Sequence, residues 1–324
     1  MNSSAPFPNI HGDETYLNFE FSFFTLPMFL LILPVLYMPF TVVIILRIFV
    51  KLLYAVQDNN VNVPIFSAIS ISQFMSLFFF LCDFIHIRLM PTGMFTRWCA
   101  RVLPNKNLIS LYILTFYINY ACMLFPFLVS TMRLVLIAYP QSHQKINKTI
   151  LHYALPIIFI YPIFSTFFMF PADGYCVPME APFPFGSIMV FFWGSLFGLK
   201  NAYFLLANCL FWMSASLFNN TIILVKLLYV RRSLSHHARS QKSYKAEVSL
   251  TLTTCSMILS YLSNSIMVII AQFAPNLTYY ALMIRPFGND LETCVCSWVF
   301  YLTHPAFRGK RNRIEVIRVD NVNS

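Results

Sequence analysis

Residues 107–140 read NLISLYILTFYINYACMLFPFLVSTMRLVLIAYP. From Asn107 the run carries no charge until Arg133, which then stands alone before Pro140. In a water-soluble core an unpaired cation at that depth would be strongly unfavourable. Near the end of a helix that crosses lipid, the same long side chain can reach the water interface. The composition of the whole chain agrees with lipid. Its 324 residues are 58% hydrophobic and 10% charged, with 35 Phe and a mean hydropathy of +0.66, whereas soluble domains carry about 25% charged residues. There is too little polar surface to coat a globule, so the bilayer must be the solvent for most side chains.

A membrane helix needs about 20 mostly apolar residues, and seven stretches qualify: Phe23–Leu46, Val63–Ile85, Leu108–Ile137, Ile150–Phe170, Ala202–Leu228, Val248–Phe273 and Leu282–Thr303. A further patch, Phe183–Leu199, follows Pro182 and reads as a loop at the interface or an early start of the fifth segment. The first 20 residues hold Asp13, Glu14 and Glu20 but no Lys or Arg, the opposite of a basic signal-peptide leader. If the amino end is outside, 16 of the 22 Lys and Arg face the cytosol, and only Arg88, Arg97, Arg101, Lys106, Lys200 and Arg285 face out. That asymmetry sets orientation. The expected architecture is an all-α, seven-helix membrane bundle with its N-terminus outside and its C-terminus cytoplasmic. Residues 1–22 form a short outer segment, 23–303 the bundle and 304–324 a basic inner tail.

Enzyme signatures are missing. No HExxH, GxSxG, Walker A or GxGxxG sequence occurs, and 8 glycines in all make phosphate-cradling loops improbable. No cofactor, metal or nucleic-acid role is implied, because the basic charge sits in loops rather than in a soluble domain. Cys294 and Cys296 point to different faces of a helix, and most other cysteines lie in apolar runs as small buried hydrophobes.

Several short pieces, in their order and spacing, resemble the nematode serpentine chemoreceptors of the class G superfamily, most closely class U. They are YLNFEFSFFTLP (16–27), ILRIFVKL (45–52), RWCARVLPN (97–105), STMRLVLIAYP (130–140) and THPAFR (303–308). The resemblance implies a G-protein-coupled receptor in the plasma membrane, in a sensory neuron or cilium, with a small-molecule or peptide ligand outside and a heterotrimeric G protein inside. It implies that Arg133 acts as the inner switch of helix three. Here the triplet is Met132-Arg133-Leu134, without the acidic neighbour that the Asp-Arg-Tyr motif supplies in rhodopsin-like receptors. It also implies a disulfide from the top of helix three to the second outer loop, for which Cys99 and Cys176 are the candidates.

The remaining candidates come from the residues themselves. Ionisable groups inside a membrane span are functional hypotheses by default. Asp83 lies near the outer end of segment two, and Asp290 stands about 21 Å above His304 at 1.5 Å per residue, so both are expected in the outer part, where ligands enter. Arg285 shares a helix face with Glu292, as a partner across two turns. Tyr112, Phe116, Tyr117 and Tyr120 form an aromatic stripe on segment three, read either as helix packing or as ligand lining. The stretch Lys226–Lys245 carries six Lys or Arg, including Arg231 and Arg232, and no acid. It is read both as a positive-inside loop attracted to anionic lipid and as a docking surface for a cytoplasmic partner. Asn2 in NSS is the expected outer glycosylation acceptor. A transporter or channel is a competing class but would need an ionisable path and inverted repeats. A seven-helix protein that does not signal is another, motivated by the missing acid beside Arg133.

Overall fold

Asparagine side chains start two of the long helices. Asn62 accepts from the Ile65 amide (3.4 Å) ahead of α3 (Val63–Asp83). Asn105 accepts from the amides of Asn107 and Leu108 (2.9 and 3.0 Å) ahead of α5 (Lys106–Ala138). Each satisfies donors that no intrahelical carbonyl can reach. The computed structural model describes residues 8–55, 62–233, 239–304 and 307. Its other helices are α1 (Glu14–Leu17), α2 (Leu26–Ala55), α4 (Thr96–Arg101), α6 (His143–Thr166), α7 (Asn201–Ser233), α8 (Arg239–Ser256), α9 (Leu259–Phe273) and α10 (Thr278–Thr303). The seven spans are α2, α3, α5, α6, α7, the pair α8–α9, and α10.

Among the described residues, six spans are long and apolar enough to cross a membrane on composition alone. The exception is α10, where Arg285, Asn289, Asp290 and Glu292 lower its hydropathy; all four are buried against the bundle. Their inward placement lets a polar helix present an apolar face to lipid. In α3 and α5, 61% of the apolar window is buried, against 22% in α2 and α6, so the former pair is central and the latter peripheral. α5 touches α3, α6, α7 and both strands of a two-stranded hairpin, β1 (Asp173–Pro178) and β2 (Ile188–Trp193). One apolar core, built on Phe66, Phe125, Leu128, Met132, Leu250 and Phe300, joins α3, α5, α8 and α10. A second, built on Tyr112, Phe116, Phe168, Leu205, Tyr261 and Val268, joins α5, α7, α9 and the hairpin.

Three readings of the sequence are corrected. Segment two does not end at Ile85: it continues as a π-helical turn, Phe84–Leu89, then a 3-10 turn, Met90–Thr92, and stops at Gly93 in the left-handed region (φ 85°). The patch Phe183–Leu199 is not a start of span five. It supplies β2 (Ile188–Trp193), antiparallel to β1 (Asp173–Pro178). Span six is broken at Met257–Ile258, where amides bond three residues back (Ile258 to Cys255, Tyr261 to Ile258), and the Ser256 hydroxyl bonds the Thr253 carbonyl. Hydroxyls bonding to the local backbone compete with the helical ladder.

The β1–β2 hairpin caps the end of the bundle at which α5 starts. Gly174 exchanges two backbone bonds with Asn105 (3.0 Å each), and a Cβ there would meet the Ile109 amide nitrogen at 2.4 Å, so only glycine lets the top of α5 approach. Cys99 on α4 is bonded to Cys176 on β1, with Cα atoms 5.9 Å apart. The Ile10 amide donates to the Cys176 carbonyl (3.2 Å) and the Gly12 amide to Ala100 (2.9 Å), strapping the amino-terminal segment over the hairpin. Replacing both Cys99 and Cys176 by serine should cost about 2–4 kcal/mol of stability. A thermal melt of purified receptor checks this: a lower midpoint is expected, and an unchanged one would mean the cap holds without the bridge.

Candidate functional site

The π-turn brings three consecutive residues, His86, Ile87 and Arg88, into the interior. Such widened turns re-aim side chains and recur at functional sites. Arg88, 7% exposed, donates from Nη2 to Asp290 (2.6 Å) and to the Pro286 carbonyl (2.8 Å). Its Nε lies 4.0 Å from Asp83, and its guanidinium is flanked by the rings of Phe80 and Phe287 at 5.4 and 5.3 Å. The Tyr37 hydroxyl of α2 donates to the other oxygen of Asp290. Arg285 reaches Asp83 at 3.7 Å and donates from Nε to Asn264 of α9 (2.7 Å), whose amide in turn donates to Asn289 (3.3 Å). Two carboxylates and two guanidiniums thus form a charge-balanced group tying α2, the end of span two, α9 and α10.

This pairing corrects one expectation. Arg88 and Arg285 are not outer-loop cations; both are buried in the bundle. Arg285 meets Asp83 on another helix. Glu292 is buried farther along α10.

His86 links the charged group to the aromatic stripe. Its Nε2 lies 3.4 Å from the Val190 carbonyl of β2, and its ring packs edge-on against Tyr112 at 5.0 Å. Tyr112 contacts Phe116 (4.7 Å) and Phe192 of the hairpin (5.1 Å), Phe116 leads on to Tyr120 (6.3 Å), and the Tyr120 hydroxyl donates to Asn201 at the start of α7 (2.7 Å). Asp83, Asp290, Tyr112, Phe116 and Tyr120 therefore share the half of the bundle beneath the hairpin. Tyr117 does not join them; it turns toward α6 and donates to the Phe159 carbonyl (2.5 Å). The sequence reading missed Tyr37, His86, Arg88, Arg285 and Asn264 as members. The signal for Arg88 was its place inside the apolar run FIHIRLMP rather than after it.

At the other end, Arg133 is 0% exposed. It does not snorkel. It donates to Asn220 of α7 (3.4 Å) and to Thr254 (3.0 Å) and Thr251 (2.6 Å) of α8. Neighbouring amides extend the web: Asn219 to Thr131 (3.0 Å), and Asn147 to the Met132 carbonyl (3.0 Å). Arg231 and Arg232 lie on the last turn of α7, while Asn2 and the tail from Arg308 fall outside the described residues.

Breaking one partner of a buried ion pair leaves the other charge uncompensated, at about 3–5 kcal/mol. Arg88→Met and Asp290→Leu should each cost that much, and the double variant clearly less than their sum. A double-mutant cycle on thermal stability checks the coupling, and strict additivity would contradict it.

The comparisons agree with this architecture. Residues 10–310 match the family model described as "Serpentine type 7TM GPCR chemoreceptor Sru". The chain is 53% identical over 268 residues to "Serpentine receptor class U-26" of Caenorhabditis elegans, an alignment that covers 83% of this chain and 92% of that relative. This multi-pass membrane protein therefore belongs to the Sru family of serpentine seven-transmembrane chemoreceptors.

Proposed function

We propose that the chain is a plasma-membrane chemosensory receptor that binds a small extracellular ligand in the outer half of its bundle and signals to a cytoplasmic heterotrimeric G protein. The family supports this reading, with a sensory neuron or cilium as the matching location. Orientation with the amino end outside is supported by the distribution of Lys and Arg and by the Cys99–Cys176 bridge, which persists in an oxidising compartment. The ligand region is the group around Asp83, Arg88, Tyr112, Phe116, Tyr120 and Asp290, beneath the hairpin. The G protein would meet the inner ends of α5, α7 and α8, with Arg231 and Arg232 supplying positive charge.

The observation that carries this reading is the seating of Arg133. A buried guanidinium hydrogen-bonded to α7 and α8 holds the inner ends of spans three, five and six together. Outward movement of α8 would strip those bonds and expose the cation to a cleft, giving the two discrete arrangements that a switch needs. The break at Met257–Ile258 supplies the hinge, and the bond from Tyr261 to the Met123 carbonyl keeps α9 anchored to α5 while α8 moves. Reconstitution with G protein tests it. Arg133→Ala should lower ligand-stimulated nucleotide exchange by about tenfold or more, roughly the 1.4 kcal/mol of one decade, with ligand binding retained. Wild-type exchange from Arg133→Ala, or no ligand-dependent exchange by the wild type across a broad ligand panel, would contradict the proposal.

A further inference from the structure

An apolar crevice of about 30 Å³ lies between α2, α10 and the end of span two, in the outer half of the bundle. Leu30, Leu31, Phe183, Leu282 and Met283 are among its walls, and Arg88 is the one charged side chain that lines it among the described residues. Exposed Phe29, Ile32 and Ile284 on the same helices place its mouth beside lipid. Arg88 is 7% exposed and uses Nη2 for Asp290 and the Pro286 carbonyl, but its Nη1 and Nε make no hydrogen bond. With aromatic rings of Phe80 and Phe287 on the guanidinium, approach is left to its edge. A buried donor without an acceptor is costly, and it calls for an explanation such as a bound water, ion or ligand.

The local charge says what kind of acceptor fits. Arg88 and Arg285 are already balanced by Asp83 and Asp290. An added carboxylate would bring an unbalanced anion into a low-dielectric site, and an ammonium has no lone pair to offer Nη1. We propose that this crevice binds an uncharged molecule with an apolar body and a single hydrogen-bond acceptor, such as the carbonyl of an ester, ketone or lactone, with its oxygen on Arg88 Nη1. A water needs roughly 10–15 Å³, so the enclosed space suits the polar head, and the hydrocarbon lies along Leu30, Leu31 and Met283 toward the bilayer. The inference deepens the receptor reading by naming the ligand class, and it rests on that reading only for the step from occupancy to signal.

Equilibrium binding to the full-length receptor in nanodiscs of ether-linked phosphatidylcholine tests it, since those lipids carry no ester carbonyl to compete. Radiolabelled methyl decanoate is the probe, with decane and decanoate as competitors and empty discs as background. Saturable binding is expected, with decane weaker by roughly ten- to a hundredfold, the range for a hydrogen bond to a charged donor, and decanoate no tighter than the ester. Met283→Trp, which fills the crevice, should weaken the ester by about tenfold, one decade, with the melting midpoint unchanged; Leu31→Trp is the second variant, should the first not fold. Decane binding as well as the ester, decanoate binding more tightly, no saturable binding, or folded crevice-filling variants with wild-type affinity would each overturn the inference. Binding is read without G protein, so a receptor that fails to signal leaves this result standing, and one that signals to other ligands leaves the receptor reading standing.

Discussion

Four charges buried in an apolar bundle have to find one another, and the half beneath the hairpin is arranged around that requirement. Each ion left alone at this depth would cost several kcal/mol. Asp83 and Arg88 come from the end of span two, Arg285 and Asp290 from span seven, and their pairing joins two segments far apart in sequence. The π-turn that carries Arg88 inward and the inward face of α10 are two halves of one solution. Without the first, α10 would bury Asp290 unpaired. Without the second, the guanidinium would keep only Asp83, 4.0 Å from its Nε.

The opposite end of the bundle buries a cation too. Arg133 is just as buried, and three of its contacts are oxygens of Asn220, Thr251 and Thr254. The first group joins spans two and seven, and the web around Arg133 joins spans three, five and six. α5 runs through both regions, with Tyr112 under the hairpin near its start and Arg133 near its end. Span six is the other route between them: its α9 half reaches the charged group through Asn264, and its α8 half reaches Arg133 through Thr251 and Thr254.

Much of this was legible in residue order, and what was not has physical reasons. Hydropathy located the spans because lipid demands long apolar runs. The Cys99–Cys176 bridge followed from the family resemblance. The hairpin was hidden because IMVFFW (188–193) is apolar enough to pass for membrane, although its alternating burial fits a strand against the bundle top. Arg88 reads as a loop residue because the apolar pattern ends a helix at Ile85, and nothing local announces a π-turn. Arg285 reads as a partner of Glu292 because spacing along one helix is legible, while the approach of Asp83 from another helix is a tertiary fact. Tyr117 falls with Tyr112, Phe116 and Tyr120 on spacing, but a step of one residue past Phe116 rotates it onto the face toward α6.

The least apolar span is also the one on which the account rests, since α10 must cross the membrane with its charges paired inside. Impermeant antibody labelling of intact cells that carry one tag at residue 1 and another at residue 324 reads this directly. Labelling of the first tag and protection of the second until permeabilisation is expected, because seven crossings put the ends on opposite sides with the amino end out. Both ends on the same face would mean that α10 does not span, and a protected first tag with an exposed second would invert the orientation. Either result would contradict the bundle described above.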